Sequence, residues 1–156
     1  VEEDQLDTAR RVMQLAEANG VMLLTPVDVV VTDDLKDGAL VEVRLHNEIE
    51  DGEVAADIGP RTAQSYADVI AASGTVFWNG PMGVFEQQRF ASGTLSIAAA
   101  LAAATQAYTV VGGGESIEAV NLAGVAERIG HISTGGGASL EFLAGKVLPG
   151  LKVLED

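Results

Sequence analysis

The chain has 156 residues, 47% of them hydrophobic and only 4% aromatic, which suits one domain with a sizeable core and excludes a disordered chain. Its 23 acidic and 9 basic residues give a formal net charge of −14, which argues against a duplex-binding face, because phosphate neutralisation needs clustered Lys and Arg. There is no cysteine, so disulfides and thiolate metal sites are excluded, a cytosolic protein is compatible, and no apolar run suggests a transmembrane helix or signal peptide.

In chain order, Leu6, Ala9, Met13 and Ala16 form one stripe at helical spacing, stopped at Asn19-Gly20. The chain begins at Val1, inside this helical pattern, so a truncated chain is expected. "VMLLTPVDVVVTD" gives two strands, or one strand interrupted at Thr25-Pro26. "LVEVRL" alternates with period two and fits an antiparallel edge strand. "EVAADIGP" is a short buried strand ending at Gly59-Pro60, with Pro60 in the first turn of the next helix. Thr75 to Trp78 is a buried strand followed by a glycine–proline loop, and Phe90 to Ala104 is an alanine-rich helix. Tyr108 to Val111 is a strand, Glu115 to Ile129 a helix, His131 to Thr134 a last strand, and Ala138 to Ala144 a helix stopped by Gly145. The tail from Lys146 to Asp156 is loop or a short docking segment. Buried runs alternating with helices predict an α/β fold of three α/β/α layers around a mainly parallel, Rossmann-like sheet.

Gly59-Pro60, Asn79-Gly80-Pro81, Gly112-Gly113-Gly114 and Gly135-Gly136-Gly137 are expected at the carboxyl edge of that sheet, where ligands bind. Each precedes a helix or helix-like segment, whose start offers free N–H groups and about half a positive charge. Two glycine triplets on neighbouring strands can hold a polyphosphate without using the chain's three lysines, Lys36, Lys146 and Lys152. A tight strand–helix connection explains a single such loop equally well. Neither triplet is a GxxxxGK[ST] loop or a GxGxxG fingerprint, so spacing alone leads to a nucleotide- or phosphate-binding α/β domain.

"TVFWNGPMGVFE" and "HISTGGGASLEFLAGKVLPG" resemble signatures of phosphoglycerate kinase, with "PVDVVVTD", "DIGPRT" and "VVGGGES" in the expected order. The resemblance runs nearly the full chain and is weakest from Leu35 to Glu53. It implies the later part of the C-terminal, nucleotide-binding domain of an enzyme that transfers a phosphoryl group between 1,3-bisphosphoglycerate and ADP with Mg²⁺. It also implies a cytoplasmic glycolytic kinase that binds ADP or ATP, is monomeric as a whole, and meets phosphoglycerate through an N-terminal domain absent here. By the same resemblance Asn79, Pro81, Val84, Gly112, Gly113, Gly114 and Ser116 match nucleotide contacts, and Glu86 matches the acceptor for the ribose hydroxyls. Glu115 matches the carboxylate that serves the magnesium–nucleotide, Ser133 and Thr134 the interdomain hinge, and Gly135, Gly136 and Gly137 the helix start facing the transferred phosphoryl group.

Residue chemistry leaves other roles open for several of these. Glu86 can be a helix-start acid, Asn79 a turn residue, and Ser133-Thr134 a plain N-cap. His131 reads as a packed or hinge residue, His46 as surface and Trp78 as core. The sequence departs from the family at Glu115, where aspartate is usual, and at Ala55-Ala56, where a glycine and a larger apolar residue are common. Three readings remain at this point: the nucleotide half-site of the kinase, a fragment that binds nucleotide and transfers nothing, and a folded fragment that self-associates.

Overall fold

The computed structural model describes residues 3–154; Val1 and the end of the tail, on which two expectations rest, lie outside the described residues. Helix α1 (Leu6–Ala18) carries the expected stripe, but none of its residues is buried. It ends where expected, with Gly20 N–H donating to Glu17 O and Val21 N–H to Ala16 O, the paired bonds of a left-handed helix stop. Residues 21–26 form no strand. Pro26 has no N–H for a ladder, and the strand begins after it as β1 (Asp28–Thr32).

Strands β2 (Glu42–Leu45) and β3 (Val54–Ile58) both pair antiparallel with β1, giving the order β2-β1-β3. The edge strand at 42–45 is antiparallel, as its period-two pattern implies. The connections before and after it contain no helix, and a parallel pair needs a long crossover. The second sheet is parallel, with β4 (Thr75–Asn79), β5 (Tyr108–Gly112) and β6 (His131–Ser133) in the order β4-β5-β6. Helix α2 (Pro60–Ala72) connects the two sheets, α3 (Ser92–Ala103) crosses from β4 to β5, and α4 (Gly114–Leu122) crosses from β5 to β6. Helices α5 (Gly136–Leu143) and α6 (Pro149–Lys152) follow.

Side-chain alternation along β4 and β5 builds the layers. Trp78 and Val111 point into a core with Ile97, Ala98 and Leu101 of α3 and Ala119 and Val120 of α4. Phe77 and Val110 face the opposite way, towards Ala138 and Phe142 of α5. Phe90 and Leu101 are fully buried, and each contributes about 1.5–3 kcal/mol by leaving water. Small residues allow the close approach of α2 and α3, as the alanine-rich composition suggests.

Several helix boundaries differ from the sequence expectation, α5 among them, which starts at Gly136 and not at Ala138. Phe90 closes a separate 3-10 turn at Gln88–Phe90, and α3 starts only at Ser92. The helix expected over 115–129 stops at Leu122, because Gly124 takes a φ of 67° and ends it; a 3-10 turn at Ala126–Arg128 follows.

Candidate nucleotide-binding site

The parallel register sets three candidate residues in one row: Asn79 pairs with Gly112, and Gly112 with Ser133. This row is the carboxyl edge of the sheet. The Gly59 turn belongs to the antiparallel sheet instead, ending β3, so three of the four glycine loops share the edge of the parallel sheet.

The two glycine triplets pack directly on each other. A Cβ on Gly136 would collide with the Gly113 backbone and stand 3.0 Å from Asn79 Nδ2. Gly113 has a φ of 92°, a conformation that side-chain-bearing residues avoid. The Asn79 side chain lies between the loops, its Nδ2 donating to Gly112 O at 2.9 Å. Ser116 is buried and its Oγ accepts the Gly80 N–H at 2.6 Å. Asn79 and Ser116 therefore tie the β4 loop to the start of α4.

Between these loops is a cleft of about 210 Å³ lined by Asn79, Gly80, Gly113, Gly114, Glu115 and Ser116. The N-cap of α4 is Gly113, which has no side chain to cap the helix. The first intrahelical bond of this turn runs from Ile117 N–H to Gly113 O, so the N–H groups of residues 114–116 precede the helical ladder at the cleft wall. Such a start favours an anion. Glu115 is the charged member of the lining and is exposed. A polyphosphate beside this carboxylate needs a bridging cation.

The remaining candidates lie around this cleft. Gly112 is buried at the end of β5, and Gly136 is buried against Gly113, while Gly135 and Gly137 are exposed. Pro81 is half-buried and Glu86 is exposed, on the loop that leaves β4; neither lines the cleft. Glu86 sits in a turn, and the following 3-10 turn has Gln87 as its N-cap, so the helix-start role weighed for Glu86 has no long helix to serve. Ser133 Oγ lies 3.0 Å from Ser139 Oγ, and Gly135 is the N-cap of α5. Ser133 thus joins β6 to α5 through side chains and is not that helix's N-cap. Thr134 is exposed. Ser133, Gly135 and His131 line a separate hollow of about 520 Å³ on the α5 face, with Phe77, Phe142 and Leu151. His46 is exposed and Trp78 is core, as read from the sequence.

Two buried carboxylates escaped the site reading, although both lie in quoted strings. Asp28 accepts the N–H groups of Arg61 at 3.0 Å and Thr62 at 2.7 Å, capping α2. Asp57 accepts the N–H of Gly93 at 2.7 Å, capping α3. The helices' own N-cap residues, Gly59 and Ala91, supply no cap. An aspartate inside a β-branched strand was the available signal, since a buried carboxylate needs donors. Burial raises the Asp28 pKa, but the Thr62 hydroxyl and the two backbone donors outweigh it and hold the group below the usual carboxylate range. For Asp57, burial dominates over the Gly93 and Ile58 donors and pushes the pKa up.

The family model of phosphoglycerate kinase matches residues 1–146. The chain belongs to the phosphoglycerate kinase family. It is 53% identical over 156 residues to the phosphoglycerate kinase of Moorella thermoacetica and 51% identical over 158 residues to that of Synechococcus elongatus, covering 100% of this chain and 39% of each relative. The structure of phosphoglycerate kinase from Coxiella burnetii superposes with a TM-score of 0.92 at 41% identity, covering 99% of this chain and 39% of that one. The Pyrococcus horikoshii phosphoglycerate kinase gives 0.82 at 35% identity, covering 99% and 38%. The chain therefore spans about two fifths of the length of the phosphoglycerate kinases it matches, and its α/β fold is theirs. Among the described residues no helix is long and apolar enough to cross a membrane.

Proposed function

We propose that these 156 residues form the nucleotide-binding part of a phosphoglycerate kinase. The reaction of the whole enzyme would be phosphoryl transfer between 1,3-bisphosphoglycerate and ADP. The observation that carries the proposal is the cleft at the uncapped start of α4, lined by Asn79, Gly80, Gly113, Gly114, Glu115 and Ser116. Its backbone donors would take the nucleotide phosphates, and Glu86 would accept the ribose hydroxyls. The α5 start, held against Gly113 by Gly136, would bring the N–H groups of residues 135–137 to the transferred group, with Ser133 and Thr134 at the hinge. Phosphoryl transfer is catalysed chiefly by positioning and charge stabilisation, and fixed backbone dipoles suit that role. Phosphoglycerate would be held by sequence beyond this chain, so the proposal assigns binding and not turnover to these residues.

The site also fits Mg²⁺. No cluster of three metal-ligating side chains occurs among the described residues, but Mg²⁺ at a nucleotide needs only one or two carboxylates, completed by phosphate and water. Glu115 would be that carboxylate, and the ion would neutralise charge on the phosphates.

Calorimetric titration of the chain with ADP tests the proposal. The expected dissociation constant is on the order of millimolar, about −4 kcal/mol, because the cleft lacks a lysine. Omission of Mg²⁺ should weaken binding, and Glu115→Gln should abolish that Mg²⁺ dependence. No saturable heat with either form would contradict the proposal.

A further inference from the structure

The loop between β4 and α3 carries Pro81 and Glu86, yet residues 80–86 contain no helix or strand. The end of β3 and the start of α3 hold it instead. Val84 N–H donates to Ala56 O at 2.8 Å, and Met82 N–H donates to Thr94 Oγ1 at 3.0 Å. Gly83 lies directly on Asp57: a Cβ at Gly83 would stand 2.5 Å from both Ala56 O and Asp57 Oδ1. The Asp57 carboxylate accepts Ile58 N–H at 2.8 Å and Gly93 N–H at 2.7 Å. It therefore locks Gly93, and with it the adjacent Thr94, to β3, while its own surface is the floor beneath Gly83.

A plain cap would explain only the bond to Gly93. Burial and a glycine at the capped helix start are shared with Asp28, which lies against Gly59; a plain cap would not explain the second glycine, Gly83, whose Cβ would strike the same Asp57 carboxylate. We infer that Asp57 is a positioning residue for the ribose end of the nucleotide site: it sets the height of loop 80–86, and so the place of Glu86, without touching the ligand. The inference rests on the nucleotide reading above. Asp28 supplies a matched control, because it caps α2 in the same way and lies against Gly59, whereas Gly83 of the loop packs on Ala56 and Asp57.

The test compares Asp57→Asn with Asp28→Asn in the full 156-residue chain. Two quantities are read: hydrogen exchange of the Met82 and Val84 amides, and affinity for ADP against 2′,3′-dideoxy-ADP. Asp57→Asn should speed exchange at both amides about tenfold beyond Asp28→Asn, as a local opening. It should weaken ADP roughly three- to tenfold and leave dideoxy-ADP within about twofold, since only the hydroxyl contacts move. Gly83→Ala, which lifts the loop from the other side and keeps the carboxylate, should give the same pattern and serves where Asp57→Asn does not fold. Protected amides in these variants, or equal losses for the two nucleotides, would overturn the inference. If the unaltered chain binds neither nucleotide, the nucleotide reading and the ribose role fall together, and the exchange rates alone then decide whether Asp57 holds the loop.

Discussion

Asp28 and Asp57 do related jobs with opposite electrostatic outcomes. Each is buried, and each caps a helix whose own N-cap residue is Gly or Ala. Asp28 receives two backbone donors and the Thr62 hydroxyl, the last at 2.7 Å, and its pKa falls; Asp57 receives two backbone donors, and its pKa rises. A carboxyl lowered in the folded state stabilises fully above its unfolded value of 3.8 and loses that contribution as pH falls through the lower folded value. A raised carboxyl behaves the other way, favouring the folded state at low pH and losing that as pH rises. Asp28→Asn should therefore cost about 1–3 kcal/mol at pH 7, the value of hydrogen bonds to a charged group. The gap between the two proteins should begin to narrow below about pH 3.8 and close as pH falls through the lower folded value, where the Asp28 carboxyl becomes neutral like the asparagine. Thermal unfolding at a series of pH values reads this directly, and a gap that persists undiminished at pH 2–3 would argue against a charged cap. The aspartates themselves were plain in "PVDVVVTD" and "DIGPRT"; their capping partners were not, because those lie far along the chain, 33 residues for Asp28 and Arg61 and 36 for Asp57 and Gly93.

Among the elements, the repeated strand–glycines–helix unit was legible in the sequence. One triplet runs from the end of β5 into the first residue of α4, and the other follows β6 and runs into the first turn of α5. That the two triplets touch was not legible, since contact between Gly113 and Gly136 depends on the parallel β5–β6 register. The consequence differs sharply between neighbours. Alanine at Gly136 would strike the Gly113 backbone, whereas alanine at Gly137 meets nothing within 4 Å and lies inside α5. Gly136→Ala should destabilise by about 1–3 kcal/mol through overpacking. Gly137→Ala should be neutral or stabilise by about 0.5–1 kcal/mol through reduced chain entropy. Denaturant midpoints of the two variants decide it, and equal midpoints would show that the loops do not pack as described. The antiparallel pairing of β3 with β1 was also hidden. Period and composition mark a strand, but its direction follows from how the chain returns, and neither connection around β2 contains a crossover helix.

At the scale of the whole molecule, the core is one-sided. The parallel sheet is well covered on the Trp78 and Val111 face by α3 and α4. Elsewhere large apolar side chains face solvent, including Met13 on α1, Val21, Met22 and Leu23 after it, and Phe142 and Leu143 on α5. Helical periodicity placed α1 correctly but could not say what its stripe packs on, because amphipathicity marks a face and not its partner. The candidate site fares differently. The loops that supply Asn79, Gly80, Gly113 and Gly114 to the cleft were legible from their spacing, because a glycine-rich helix start is local and needs no long-range contact to form, whereas Glu115 and Ser116 were singled out only by the family resemblance. Glu86 and Pro81 stand apart from that cleft, on a loop set by β3 and Thr94. Amide chemical-shift mapping of the chain during titration with ADP and Mg²⁺ shows whether nucleotide binds at the start of α4. The largest shifts are expected at residues 113–116 and at Asn79 and Gly80, with smaller ones at 84–86. Shifts confined to the α5-face hollow around Phe77, Phe142 and Leu151, or no shifts at 113–116 at saturation, would contradict binding at that helix start.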